Sequence, residues 1–194
     1  QRGDLILTPT GLWHEHGHDG TEPVVWLDVL DLPLVYYIEA SYHIDGERQA
    51  VLPGQGERAY QRGGLAPTPV FARSNKAYPM LRYPWVDTRA ALLQLAADQP
   101  GLDAVQVTYI NPETGGDAQN ILGFYALMLR PGQTLPLPAR SPASVFHLIE
   151  GQLAARIGDH AFTLAPADTC CAPGYTPIRL HNPSATDPAF VFIA

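Results

Sequence analysis

Cysteine is almost missing from this 194-residue chain: there are two, Cys170 and Cys171, side by side. Two adjacent thiols exclude a disulfide scaffold and a four-thiolate zinc site. They read as buried thiols of a reduced, cytoplasmic protein. Charge is scarce as well. Charged residues make up 16%, with 12 Lys+Arg against 19 Asp+Glu, a net charge of −7. Without a basic run, an acidic chain is no partner for nucleic acid or an anionic membrane. No apolar stretch approaches the ~20 residues of a membrane helix. No leader is expected from the polar start Gln1-Arg2-Gly3-Asp4. The chain starts without Met, enters a strand-like pattern at once and ends in one, so a piece of a longer protein is expected.

Proline and glycine are plentiful, 19 and 17, which favours many short strands over long helices. Apolar residues at 46% supply a core for one or two compact domains. In residues 1–35, Leu5-Ile6-Leu7 and Val24-Val25-Trp26-Leu27 read as strands, and Leu30, Leu32 and Leu34 alternate as one strand face. Residues 36–118 read as a bridge, broken at Pro53-Gly54, Gly63-Gly64, Pro67, Pro69 and Pro79. It holds one helix, about 88–98, capped by Asp87 and stopped by Pro100-Gly101. Its apolar stripe is Val86, Ala90, Leu93 and Ala97, widened by Leu92, Leu95 and Ala96. Val105, Val107 and Tyr109 alternate as a strand that Asn111-Pro112 ends. In residues 119–194, strands are expected near 125–129, 145–149, 154–157 and 190–194. Turns at Pro131-Gly132, Glu150-Gly151, Gly158-Asp159 and Pro173-Gly174 separate them. Such regular short strands predict an antiparallel barrel or jelly roll.

Chemistry concentrates in Trp13-His14-Glu15-His16-Gly17-His18, which holds three of the seven histidines. On an extended strand the three imidazoles share a face. Imidazole is the commonest neutral metal ligand. One flat strand cannot close all three on one ion, because residues i and i+4 stand about 13 Å apart at ~3.3 Å per residue. At most two ligate together, or one ligates while another supports it; polar surface or core histidines are the alternative.

The spacing Gly3, Pro9, Gly11, His14 resembles the second motif of the cupin barrel, G-x5-P-x-G-x2-H, with His18 where an Asn usually closes it. His14 then matches the single-histidine ligand, and the His-x-His pair of the first motif would lie upstream of Gln1. Both registers recur later. From Gly132 to Gly151 the first motif keeps its spacing, but Pro138, Arg140 and Ser144 occupy the ligand positions. In the second motif, Ile178 replaces the histidine and Asn182 closes. A metal-free second barrel is expected, with His147 and His181 off register and structural.

The blocks together resemble the gentisate 1,2-dioxygenase family of bicupins. The likeness rests on Trp13-His14-Glu15-His16-Gly17-His18 with Pro23-Val24-Val25-Trp26-Leu27-Asp28, on Tyr83-Pro84-Trp85 with Thr88 and Ala91-Leu92, on Tyr109-Ile110-Asn111-Pro112-Glu113-Thr114-Gly115-Gly116, and on Leu129-Arg130-Pro131-Gly132-Gln133-Thr134. They follow family order over nearly the whole chain. Pro138 and Arg140 depart from it. The resemblance implies a mainly β bicupin of two double-stranded β-helix barrels, the first incomplete here. Residues 1–35 would be the second half of the first barrel, 36–118 the linker and 119–194 the second barrel.

The resemblance also implies Fe(II) held by three histidines, of which only His14 is carried here. Gentisate would chelate through its carboxylate and adjacent hydroxyl. With O2 its ring would open between the carbons bearing those groups, giving maleylpyruvate. His16 and Asp28 match pocket residues that meet the substrate's hydroxyls. The parent protein is expected to be a cytoplasmic homo-oligomer without nucleic-acid or membrane partners, and this stretch alone to be inactive. Strand edges such as 190–194 would need covering. A cupin with a decayed site, or a related enzyme acting on salicylate or 1-hydroxy-2-naphthoate, is the alternative reading.

Overall fold

A computed structural model describes residues 1–47, 60, 68 and 78–194. Eleven strands and two helices are assigned among them. The strands are β1 (Leu5–Ile6), β2 (Arg82–Tyr83), β3 (Val105–Thr108), β4 (Tyr125–Leu129), β5 (Thr134–Leu137), β6 (Ser144–Glu150), β7 (Leu153–Ile157), β8 (His160–Leu164), β9 (Thr169–Ala172), β10 (Ile178–His181) and β11 (Ala189–Ile193). The helices are α1 (Leu32–Tyr37) and α2 (Trp85–Asp98).

Two antiparallel sheets form the barrel. One runs β3-β4-β11-β6-β9 and the other β5-β10-β7-β8. This is the jelly roll expected from the spacing of turns. Strands β5, β8, β9 and β10 had no separate signal in the sequence, yet each pairs in register. Leu127, Leu129, Phe146, Leu148, Leu153, Ile157, Leu180 and Val191 fill the space between the sheets. A second apolar layer lies on the outer face of the five-stranded sheet, where Ala126, Met128, Ile149 and Phe190 meet Leu7, Tyr83, Trp85 and Leu92. Being covered on both faces explains why β4 and β11 are continuous apolar runs. By contrast β7 alternates, burying Leu153, Ala155 and Ile157 and exposing Arg156.

The structure departs from several expectations. The strand at 190–194 is no edge: β11 pairs with β4 on one side and β6 on the other. An apolar run marks a strand but does not say which strands will pair on either side of it. The helix begins at Trp85, three residues before the expected start, with Pro84 rather than Asp87 at the cap position. Its buried face is Trp85, Thr88 and Leu92, so the stripe through Val86 and Leu93 turns outward. Apolar residues surround this helix, and the large indole decides which side is buried. Residues 23–31 form no strand, and Leu32 and Leu34 belong to α1, which has Pro33 in its first turn and no buried residue. A strand needs a hydrogen-bonding neighbour, and the described residues offer none there. The expected breaks at Pro53-Gly54, Gly63-Gly64, Pro67 and Pro69 lie outside the described residues. Strand β3, read as part of the bridge, pairs with β4 and extends the barrel's sheet.

A bulge shapes the contact with α2. The β6–β11 register jumps from Leu148↔Val191 to Glu150↔Phe190. Ile149 thereby joins the outer layer, and Glu150 reaches the helix, accepting from Trp85 Nε1 at 2.7 Å and Arg89 Nε at 2.9 Å. Bulges re-aim side chains in this way.

Candidate active-site segment

The histidine segment begins at a docked strand. Leu5 and Ile6 pair with Tyr83 and Arg82, and the Leu7 amide donates to Leu81 O at 2.8 Å. Past Leu7 the chain turns at Pro9, where Leu12 N donates back to Pro9 O at 3.4 Å. Gly11 sits at φ +77° in that turn, a conformation that favours glycine. Pro9 and Gly11 thus form a turn that leads into Trp13 and His14.

The structure brings His14, His16 and Trp26 together. The His14 and His16 rings lie 5.7 Å apart, edge to face, and His16 meets Trp26 at 5.2 Å in the same manner. His14 Nδ1 lies 3.4 Å from Leu12 O. His18 is drawn elsewhere, with Nε2 at 2.7 Å from Glu22 O. Asp28 is exposed, two residues beyond Trp26. Trp13 and Trp26 are 60% and 46% exposed. Among the described residues Gly46 packs on the Trp13 ring, where a β-carbon would lie 2.7 Å from it, but this contact leaves most of the indole exposed. No group of three His, Cys, Asp or Glu side chains that could hold a metal ion occurs among the described residues. The donors described here therefore do not by themselves fit a three-histidine metal centre.

The equivalent positions of the second barrel are brought together. Pro138, Arg140, Ser144 and Ile178, far apart in sequence, line one small cavity with Leu137, Pro142, Pro173 and Thr176. Its volume of about 10 Å³ admits no more than about one water. The off-register histidines bond to threonines instead: His147 Nδ1 lies 2.9 Å from Thr169 Oγ1, and His181 Nδ1 lies 3.0 Å from Thr134 Oγ1. Burial and the Arg2 charge push the His147 pKa down against the pull of Asp168. Asn182, at the closing position, is fully buried and bonds to three carbonyls.

Sequence reasoning gave no role to Asp4. Its side chain is 2% exposed. It accepts from Trp85 N at 2.8 Å and from Arg82 Nε at 2.8 Å. Burial raises its pKa, but the bonds from Trp85 N, the Gln1 ammonium and Arg82 together outweigh that and hold it below the usual carboxylate value. The available signal was its place after Gly3 at the head of the motif.

No family model matches the chain. A gentisate 1,2-dioxygenase from Ralstonia sp is 74% identical over 193 residues, which are 100% of this chain and 54% of that protein. The chain is a relative of the gentisate 1,2-dioxygenases. A 1-hydroxy-2-naphthoate 1,2-dioxygenase from Nocardioides sp. (strain KP7) is 30% identical over 193 residues, 97% of this chain and 49% of its own length. The chain thus spans about half the length of the curated relatives it matches. Salicylate 1,2-dioxygenase from Pseudoaminobacter salicylatoxidans, solved with gentisate, superposes at a TM-score of 0.71 with 23% identity, covering 84% of this chain and 47% of the other. At that identity the likeness establishes the mainly β fold. No described helix is long and apolar enough to cross a membrane.

Proposed function

We propose that this chain is part of a ring-cleaving dioxygenase that converts gentisate and O2 to maleylpyruvate. The observation that carries the reading is the 74% identity over the full chain to a gentisate 1,2-dioxygenase. The Pro9–Leu12 turn and the His14–His16–Trp26 cluster support it, because they present imidazoles from one fixed segment. Both oxygen atoms of O2 enter the product, so the reaction needs no external reductant. The bond broken joins the carbon bearing the carboxylate to the carbon bearing the adjacent hydroxyl.

In this reading Fe(II) is the metal and His14 supplies one ligand. His16 and Asp28 meet the hydroxyls of the substrate and fix its orientation. Small errors there are costly: a displacement of about 1 Å can cost roughly a hundredfold in rate. Residues 1–35 belong to a first barrel, 36–118 to a linker whose last strand, β3, joins the sheet of the second barrel, and 119–194 to that second barrel, which has no metal ligands at the motif positions. The working protein is a cytoplasmic homo-oligomer.

The test is O2 uptake by the whole protein with gentisate, salicylate and 1-hydroxy-2-naphthoate, before and after chelation and Fe(II) return. Gentisate should be the best substrate, with product formed in equal amount to O2 consumed. Preference for either of the others moves the substrate assignment to it. Inactivity on all three, with Fe(II) supplied, refutes the enzyme reading in favour of a non-catalytic cupin.

A further inference from the structure

The histidine segment and the barrel do not merely adjoin: Arg2 donates to Ile149 O at 2.9 Å, and beside that direct bond a clamp runs through one residue of the helix α2. Trp85 offers two N–H groups, and a carboxylate takes each. Its main-chain N–H donates to Asp4 Oδ1 at 2.8 Å, and its indole Nε1–H donates to Glu150 Oε1 at 2.7 Å. Asp4 belongs to the segment that leads to His14, while Glu150 ends β6 of the barrel. Each carboxylate has an arginine: Arg82 donates to Asp4 Oδ2, which also accepts from the Gln1 ammonium at 2.9 Å, and Arg89 donates to Glu150 Oε2. Trp85 also packs edge to face on Phe190, with ring centroids 5.6 Å apart, and Arg89 lies over the same ring at 4.9 Å.

Close packing makes the clamp specific. Gly3 has φ +84°, and a β-carbon there would lie 2.6 Å from Trp85 Cγ. The segment can reach the indole only through a glycine. Asp4 meanwhile caps α2, accepting an N–H of the first turn where Pro84 has no capping side chain. From Asp4 the chain runs through the β1–β2 ladder and buried Leu7 to the Pro9–Leu12 turn, and so to His14.

We propose that Asp4 is a positioning residue: it fixes the segment bearing His14 and His16 on the second barrel, which serves as its foundation through Glu150. The inference rests on the proposed site role of that segment. It gives the barrel without metal ligands a part in the reaction. It also gives Tyr83-Pro84-Trp85 a purpose beyond packing.

The test uses the whole protein carrying Asp4→Ala, Asp4→Asn or Glu150→Gln. Hydrogen exchange is followed by peptide for residues 3–12 and 125–193, together with kcat and KM for gentisate. Asp4→Ala should speed exchange in 3–12 by roughly tenfold or more while 125–193 stay as they were, since local opening need not involve the core strands. It should lower kcat by roughly tenfold or more, with a smaller change in KM, as expected for misplacement of catalytic groups. Asp4→Asn keeps an oxygen for the Trp85 N–H and should recover part of both losses. Glu150→Gln should mimic Asp4→Ala in direction, though more weakly. Unchanged exchange in 3–12 overturns the clamp. Faster exchange with unchanged kcat overturns the positioning role, and exchange rising equally throughout 125–193 reduces Asp4 to global stability. Failure of the proposed function is a different result, namely no turnover by the unaltered protein, and the exchange measurement reads the clamp regardless.

Discussion

Replacing Asn182 tests the barrel's construction most sharply. The side chain is fully buried at the end of β10. Its Nδ2 lies 3.2 Å from Leu129 O, 3.2 Å from Arg130 O and 2.8 Å from Asp187 O, and its Oδ1 accepts from Ser184 N at 3.0 Å. One amide thus joins the end of β4 to the loop between β10 and β11. Asn182→Ala removes all four contacts. Each net hydrogen bond contributes about 1 kcal/mol, and a buried group left unpaired costs about 1–3 kcal/mol. Asp187 is exposed and Ser184 half-buried, so water can replace part of the loss there, whereas the carbonyl of fully buried Leu129 has no such access. The expected destabilisation is about 2–4 kcal/mol. With a urea slope of about 2 kcal/mol/M, the midpoint should fall by about 1–2 M. Fluorescence of Trp85, which contacts Phe190 on β11, follows the transition. Asn182→Asp sharpens the test. A buried carboxylate facing three carbonyls has its pKa raised in the folded state, so the folded form binds the proton more tightly. This variant should be most stable below the unfolded carboxyl value of about 3.9 and lose stability as pH rises through the folded value. A midpoint within about 0.3 M of the unaltered chain for Asn182→Ala would refute the accounting. Equal stability of Asn182→Asp at pH 4 and pH 7 would refute the claim that three carbonyls face this side chain.

Four further outcomes follow from the same structure. Asp4 and Glu150 are both held below ordinary carboxylate values, burial being outweighed by their N–H donors, so their contribution is present at neutral pH. It should be lost as pH falls through the carboxylate range into the lowered folded values, and Asp4→Asn should flatten the fall in Tm between pH 7 and pH 3. Leu180 is fully buried between the sheets, and Leu180→Ala should cost about 2–5 kcal/mol in a denaturant titration. Cys171 is exposed, whereas burial and neighbouring Cys171 push the Cys170 thiol up to about 11. Mass spectrometry after alkylation at pH 8 should therefore find Cys171 modified and Cys170 protected until urea unfolds the barrel. In the whole protein, His14→Ala should abolish bound iron and gentisate turnover, while Asp28→Ala and His16→Ala should retain iron and lower kcat by roughly a hundredfold, as metal analysis and an O2 electrode would show.

Local chemistry was legible in the sequence. Gly11 and Pro9 announced the turn before His14 because only particular residues adopt that backbone, and the β4 and β11 runs announced strands because a doubly covered strand has no polar face. The register of the second barrel was legible too. The resemblance to the cupin motifs gave Pro138, Arg140, Ser144 and Ile178 equivalent positions, and they line one cavity. What spacing could not hold was anything set by a partner in space. Whether Val24–Leu27 forms a strand depends on a neighbour to accept its hydrogen bonds, not on its β-branched residues. Which face of α2 is buried depended on where Trp85 could find Phe190 and Glu150, more than 60 residues away. Asp4 looked like an ordinary turn residue in the sequence. Its burial, its arginine and its grip on Trp85 arise only when residues about 80 positions apart meet, because a carboxylate's role is set by the donors that surround it.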